Sequence, residues 1–360
     1  MKSFNKAWLD ELAFKDRKLV ILHLMRVTLH YVTSSELPMY YNATRDALRK
    51  FLSSRSIEIE YPIRLTRLHK AILEFIRKNK PVTTSQIRNF LRQNNLPVEN
   101  LHRIIHYQLA GSAIIIRCGR KGNKWLWTLM EDWLPHLDLN LMSEGEAKKW
   151  LILKYLDAFG PSTIQDIVSW TWHSVRETKS IIEELKHEEA VLPAKITGLD
   201  GTYRLLSEDY ERLEEIKSDI EHIKSRLHNF IRVLPEFDPL TVGLRKRLRN
   251  YLRFPSYKPS ARPHPAPGVI LAEGEVVATY VTWPRWSIEF TNEKLALAHL
   301  NLIIEHVERT ATFQGLNELS IWKINGKPVH SNSVRKFVKK FLEAGFILKN
   351  NILNKRLNTT

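Results

Sequence analysis

The residues of this 360-residue chain best suited by type and spacing to do chemistry are arginines and lysines gathered into stretches that hold almost no acid. Between Asp238 and Glu273 the chain carries Arg245, Lys246, Arg247, Arg249, Arg253, Lys258 and Arg262 and no carboxylate. Between Glu99 and Glu131 it carries Arg103, Arg117, Arg120, Lys121 and Lys124, again with none. After Glu318 the one acid, Glu343, stands against Lys323, Lys327, Arg335, Lys336, Lys339, Lys340, Lys349, Lys355 and Arg356. Cations without local counter-charges are free to neutralise phosphates, and each neutralised phosphate releases a condensed counterion. The formal net charge of +16 points the same way, toward polyanions or anionic surfaces.

Signatures of covalent or metal chemistry are missing. There is no Gly-rich phosphate loop, no nucleophile elbow and no His/carboxylate spacing suited to a metal. His187 lies beside Glu188 and Glu189 in a solvated helical stretch, and His299 and His306 stand seven apart with no evident third ligand. We expect no metal and no cofactor. Cys118 is alone, so one chain can build neither a disulfide nor a thiolate zinc site, which fits a reducing interior. No apolar run approaches the ~20 residues needed to span a bilayer, and Met1 to Phe14 has acids and no signal-peptide core. The expectation is a cytoplasmic monomer with no membrane partner.

The elements that would position those cations show themselves in an internal echo. Leu73, Phe75, Ile76, Pro81, Thr83 and Ile87 recur in kind at Leu153, Tyr155, Leu156, Pro161, Thr163 and Ile167. Each copy reads as a helix, a Pro-containing turn, a capped second helix, a third helix and a two-stranded ribbon. Thr83 precedes Gln86 by three residues, and Thr163 precedes Asp166 by three, the spacing of a reciprocal helix cap. Three short helices closed by a ribbon make a winged-helix unit, and two of them in a basic chain point to nucleic acid.

The expected fold class is therefore α+β: tandem winged-helix domains with a C-terminal β-containing module. Residues 1–65 read as a partial N-terminal winged-helix module, with Lys18 to Val32 a helix end running into a strand and Glu36 to Leu52 helical. Residues 66–135 form the first complete winged helix, with helix 3 from about Val98 to Leu109. Its wing is Ala113 to Arg117, a turn at Gly119–Asn123, and Lys124 to Leu129. Residues 146–206 form the second, whose helix 3 is too rich in glutamate to favour phosphate. Residues 207–230 are one connecting helix, with Leu213, Ile216, Ile220, Ile223 and Leu227 at 3-4-3-4 spacing. Residues 231–360 form an α+β module with a basic DNA-facing surface. It contains a Pro-rich stretch, a hairpin at Val269–Thr282, helix at 291–310, and a last helix, Val334 to Leu342, like the recognition helix of a further winged unit.

Three segments resemble the winged-helix DNA glycosylases that act on alkylated bases and interstrand crosslinks, the AlkZ/YcaQ-like family. Leu24-Met25-Arg26-Val27-Thr28-Leu29-His30-Tyr31-Val32 resembles the family's Met-Arg-Gly-Thr-Leu-His-Leu-Val strand, with Val27 where Gly is usual, and Glu36-Leu37-Pro38 follows as the family's acidic helix start does. Phe159-Gly160-Pro161-Ser162-Thr163, with Trp170 downstream, is similar to its Phe-Gly-Pro-Ala-Thr. Leu234-Pro235-Glu236-Phe237-Asp238 matches its Leu-Pro-x-Phe-Asp. The order is the family's, and the resemblance runs over nearly the whole chain.

The resemblance implies tandem winged helices around a concave basic surface holding duplex DNA. It implies excision of a damaged purine by water without metal, a polar side chain stabilising the charge that develops on the sugar. In the family that side chain belongs to a Gln-x-Gln or Gln-x-Asp motif upstream of the Met-Arg-Gly-Thr strand. Here Met25 has 24 residues before it, and none of Gln86, Gln93, Gln108, Gln165 and Gln314 has Gln or Asp two positions on. The first unit is expected to lack its opening helices, and no catalytic residue is assigned. Arg26 and His30 either line a damaged-base pocket or satisfy a strand end. Asp238 either joins that pocket or braces arginines behind the DNA surface. Trp283 and Trp286 either wedge against bases or pack at a sheet edge. The DNA-binding expectation falls on Arg103, Arg117, Arg120, Lys121, Lys124, Arg245, Arg247, Arg249 and Arg253.

Overall fold

Thr83 and Gln86 pair as their spacing predicts: the Thr83 hydroxyl accepts from Gln86 N at 3.3 Å, and Gln86 Oε1 accepts from Thr83 N at 2.8 Å. Thr163 and Asp166 do the same at 3.2 and 2.9 Å. Each reciprocal cap satisfies backbone donors that a helix start would otherwise leave unpaired. The architecture around these caps is known from a computed structural model that describes residues 5–54, 63–197, 199–228, 230–235, 238 and 267–357. Two units result, Met1–Gly160 with Trp170–Val191, and Pro161–Ser169 with Leu192–Thr360.

The first unit opens with α1 (Lys6–Asp10) and a hairpin of β1 (Leu19–His23) and β2 (Leu29–Thr33), pairing Leu19 with Thr33 and His23 with Leu29. This corrects the expected helix end. Val20, Ile21 and Leu22 are buried in succession, so the strand is covered on both faces, and its continuous apolar run imitates helical spacing. The hairpin turns through Met25–Val27, where Arg26 and Val27 sit at φ 55 and 56. A β-branched residue is strained there, which gives a physical reason for glycine at the matching family position. Val27 also packs against the buried pair Leu48 and Leu52 of α2. Val27→Gly and Val27→Ala lose that packing alike, so their difference isolates the backbone. Chemical denaturation is expected to find the Ala variant less stable than the Gly variant by about 1 kcal/mol. Equal stabilities would show the left-handed turn to be wrong.

Helix α2 (Leu37–Ser53) follows with Pro38 in its first turn. Then come α3 (Arg67–Asn79), β3 (Val82–Thr83), α4 (Thr84–Gln93), α5 (Leu101–Arg103), β4 (Ile115–Lys121) and β5 (Lys124–Leu129). The three strands form one antiparallel sheet in the order β3-β5-β4, over a core that includes Ile72, Ile76, Val82, Ile87, Leu91, Leu101, Ile105, Leu109 and Trp127. Two details differ from expectation. Asn100 at φ 57 delays helix 3, which is one short α-helical segment running into a π-helical stretch over Ile104–Leu109. The wing turn is tighter: β4 runs through Gly119 to Lys121, with its register broken between Arg117 and Gly119, leaving Gly122–Asn123 as the turn. Helices α6 (Met130–Trp133), α7 (Glu144–Phe159), α8 (Ile164–Thr171, spanning the unit boundary) and α9 (Val175–His187) follow, with Ser143–Glu146 and Ser174–Glu177 as further capping boxes.

In the second unit β6 (Val191–Ala194) pairs with β7 (Tyr203–Leu206). The single connecting helix becomes two, α10 (Ser207–Ser218) and α11 (Ile220–Leu227). Ser218 turns its hydroxyl back onto Glu215 O at 2.6 Å beside Asp219, and such side chains compete locally with the helical ladder. Among the described residues the main sheet has eight strands: β8 (Ile231–Leu234), β9 (Gly268–Ala272), β10 (Glu275–Val281), β11 (Trp286–Phe290), β12 (Glu318–Ile324), β13 (Lys327–Pro328), β14 (Ile347–Lys349) and β15 (Ile352–Arg356). The crossover between the parallel strands β11 and β12 carries α12 (Glu293–Ala298) and α13 (Leu300–Phe313), whose Leu300, Ile303, Ile304 and Val307 enter the sheet's core. Helix α14 (Arg335–Glu343) is the predicted last helix, but its hairpin is absorbed into the sheet through β15 and β12 rather than forming a separate winged unit.

Candidate nucleic-acid interface

The acids flanking the first complete module are spent at one end of it. Glu74 pairs with Lys78 at 2.8 Å, Glu131 with Arg77 at 3.0 Å and Asp132 with Lys80 at 2.6 Å. Glu99 accepts from the backbone of Val98. Arg103, Lys121 and Lys124 are exposed and make no ion pair among the described residues. Arg120 is exposed too, its guanidinium carbon 4.2 Å from the centroid of the Trp125 ring and its Nη2 3.5 Å from the Tyr31 hydroxyl. Aromatic stacking holds a guanidinium in place without consuming its charge. The β4–β5 hairpin, the expected wing, thus presents three cations. Exposed Arg92 and half-buried Arg88 on α4, which make no ion pair among the described residues, add further charge that clustering in the sequence did not single out; their i,i+4 spacing was the available signal.

Arg117, grouped with these cations by sequence, is turned inward. It is 1% exposed, donating Nη1 to Ile21 O at 3.2 Å and Nη2 to His106 Nδ1 at 3.0 Å. Its guanidinium sits 4.8 Å over Trp127. The reason is that this part of β4 is covered on both faces, Ile115, Ile116 and Arg117 being buried in succession, and only past the irregularity at Gly119 do cations face water. Burial pushes the Arg117 pKa down to about 10. Burial, then the Arg117 charge, then His102 lower His106 to about 3 and His23 to about 4. His106 stacks on His102 at 4.2 Å, and His23 packs against Tyr107 at 5.0 Å. Because arginine can only donate, His106 Nδ1 is an acceptor and Nε2 carries the proton.

The β1–β2 hairpin brings Arg26 and His30 together. His30 Nδ1 lies 2.8 Å from Thr28 O, and burial first, with Arg26 nearby, lowers its pKa. A neutral imidazole beside a half-buried guanidinium suits a polar ligand edge as well as a strand end. Asp238 lies in the other unit, half-buried, its N–H bonded to Pro235 O at 3.0 Å. Arg245, Arg247, Arg249 and Arg253 lie outside the described residues. The two tryptophans part company. Trp286 is 3% exposed and stacks on Tyr280 at 4.8 Å, whereas Trp283, between β10 and β11, is 85% exposed. His299 Nε2 and His228 Nδ1 both approach Glu273 Oε1 at 3.0 Å. Among the described residues no group of three His, Cys, Asp or Glu is placed to hold a metal ion, and no helix is long and apolar enough to cross a membrane.

Comparison with known proteins bears on this geometry. A family model described as DNA glycosylase AlkZ-like matches residues 1–289. No curated protein matches the chain. The solved structure of the Streptomyces sahachiroi DNA glycosylase AlkZ is similar to it, with a TM-score of 0.63 at 17% identity, covering 88% of this chain and 84% of that one.

Proposed function

Since the chain belongs to the AlkZ-like DNA glycosylase family, which makes DNA its partner, we propose that it is a cytoplasmic, monomeric winged-helix protein of crosslink or alkylation repair. Residues 66–135 and 146–206 act as tandem winged helices. Arg103, Arg120, Lys121 and Lys124 hold the phosphates of duplex DNA, with Arg245, Arg247, Arg249 and Arg253 as further ligands. Arg26 and His30 serve the pocket for a damaged purine, and Trp283 wedges at the base stack. The N-glycosidic bond is hydrolysed by water when a Gln-x-Gln or Gln-x-Asp motif is supplied. The observation that carries the reading is the wing, whose exposed cations have no acid partner among the described residues while the neighbouring acids Glu74, Glu131 and Asp132 are paired elsewhere.

A second reading, a non-catalytic DNA binder, has its own support: no glutamine in these 360 residues is followed two positions later by Gln or Asp. Both readings predict salt-sensitive duplex binding with weak sequence preference, each phosphate contributing about 0.9 to the log–log salt slope. Arg120→Ala/Lys121→Ala/Lys124→Ala should lower that slope by about 2–3 while leaving the melting temperature in place. A dissociation constant unmoved by salt would remove both readings. Incubation with a 7-methylguanine oligonucleotide and alkaline cleavage of abasic product separates them, since loss of such an electrostatic partner costs ~100- to 1000-fold in rate.

A further inference from the structure

Helix α14 lies beyond residues 1–289, where the family model matches, and none of the DNA contacts proposed above falls on it. We propose that α14 and the β14–β15 hairpin form a second surface for the phosphate backbone of duplex DNA. This rests on the reading of the chain as a DNA-binding protein.

The helix is fixed by one face. Phe337 and Phe341 are 0% exposed and Val338 is 7% exposed, and Phe337 stacks on Phe290 of β11 at 4.3 Å. At 3.6 residues per turn, burying positions 337, 338 and 341 sends Arg335, Lys336, Lys339 and Lys340 to the other side. These are two i,i+4 pairs, each spanning about 6 Å of axis. A DNA strand carries one charge per about 3.4 Å of axis, so each pair reaches phosphates about two steps apart.

The face keeps a net positive charge. Lys336 pairs with Glu293, while Lys339 and Lys340 share Glu343 at 3.9 and 2.9 Å. Arg335 makes no ion pair among the described residues. The Lys339 side chain is 78% exposed, and pairs so open to solvent are weak enough to exchange for phosphate. Across Leu319 to Leu357 nine cations meet the one acid, Glu343, and Lys349 is exposed at the hairpin turn. Contacts of such cations to phosphate carry no sequence information, so the binding proposed for this face is indifferent to sequence.

An anionic lipid surface is the rival occupant, because Leu342, Ile347 and Leu348 are 42%, 68% and 43% exposed. Three apolar side chains divided between a helix end and an edge strand do not make a continuous apolar face, whereas the cations run along the whole helix. DNA is the better fit.

The test uses the full chain, fluorescence anisotropy with a mixed-sequence duplex, and a salt series. Arg335→Ala/Lys339→Ala/Lys340→Ala should weaken binding about tenfold and flatten the salt slope by about 2–3, with an unchanged melting temperature. Glu343→Gln, nearly isosteric, should do the reverse, tightening binding and steepening the slope. The wing variant is measured in parallel. If it weakens binding while both α14 variants match the wild type, this proposal fails and the wing reading stands. If the wild type does not bind duplex DNA, both fail. Vesicles of phosphatidylcholine with phosphatidylserine complete the series. Vesicle binding lost in the α14 triple variant, with DNA binding intact, would reassign the face to lipid and overturn the proposal.

Discussion

Arg117→Ala is expected to cost about 3–5 kcal/mol of folding stability, the sum of a core cavity and two orphaned acceptors. The side chain is 1% exposed and fills space beside Trp127, while its two terminal nitrogens serve Ile21 O and His106 Nδ1. Alanine removes the packing and leaves both acceptors without a donor. Arg117→Met restores most of the volume and also removes a buried cation that has no carboxylate partner, so its loss should be smaller, about 1–2 kcal/mol. Urea unfolding of the two variants measures the difference. The contrast with the wing is the informative part: three residues along the same strand, Arg120→Ala should leave stability nearly untouched and weaken DNA binding. An Arg117→Ala protein that folds like the wild type and fails to bind DNA would mean that this side chain faces solvent and phosphate after all.

Acid is expected to destabilise the first unit well above the usual carboxylate range. His23 and His106 are held neutral in the fold, at about 4 and about 3 against an unfolded value of 6.5, by burial first and then by Arg117 and His102. A base whose folded pKa is depressed binds fewer protons in the native than in the unfolded state. The stability it supports is therefore complete above pH 6.5 and falls as the pH drops toward 4 and then 3. Each histidine would contribute up to about 1.4 kcal/mol per pH unit if fully shielded; these half-buried rings are partly screened by water, so about 2 kcal/mol in total should be lost between pH 6.5 and 5. Melting temperatures across that window, compared with a His23→Gln/His106→Gln variant whose curve should be flatter, give the check. Arg117→Met should flatten the curve as well, because it removes the second cause of both shifts. A wild-type melting temperature constant from pH 7 to 5 would show that the rings are solvated.

How much of this was legible beforehand depends on the range of the interaction concerned. The capped helix at Thr83 and its echo at Thr163, the helices α3, α7 and α9, the β9–β10 hairpin and the amphipathic α14 all follow from spacing within a few residues, and local hydrogen bonds and one apolar face suffice to place them. The strand at Leu19–His23 was misread because both of its faces are buried, and only the packing of the whole unit separates such a strand from a helix. The break at Asp219 was hidden by a periodic apolar pattern that runs straight across it.

For the interface, residue type and clustering by themselves determined that the chain is basic in patches and which stretch holds the wing, while three short segments carried the resemblance to a family of DNA glycosylases. They could not divide the cluster. Arg117, Arg120 and Lys121 are equivalent as letters, and whether a strand position meets water depends on what covers each face, which changes past the irregularity at Gly119. Likewise Trp283 and Trp286 look interchangeable until pairing turns one onto Tyr280 and leaves the other in water. The neutral histidines around Arg117 are a tertiary fact in the same sense. His23, His106 and Arg117 come from β1, the π-helical stretch and β4, and their pKa values exist only once burial strips water from all three together.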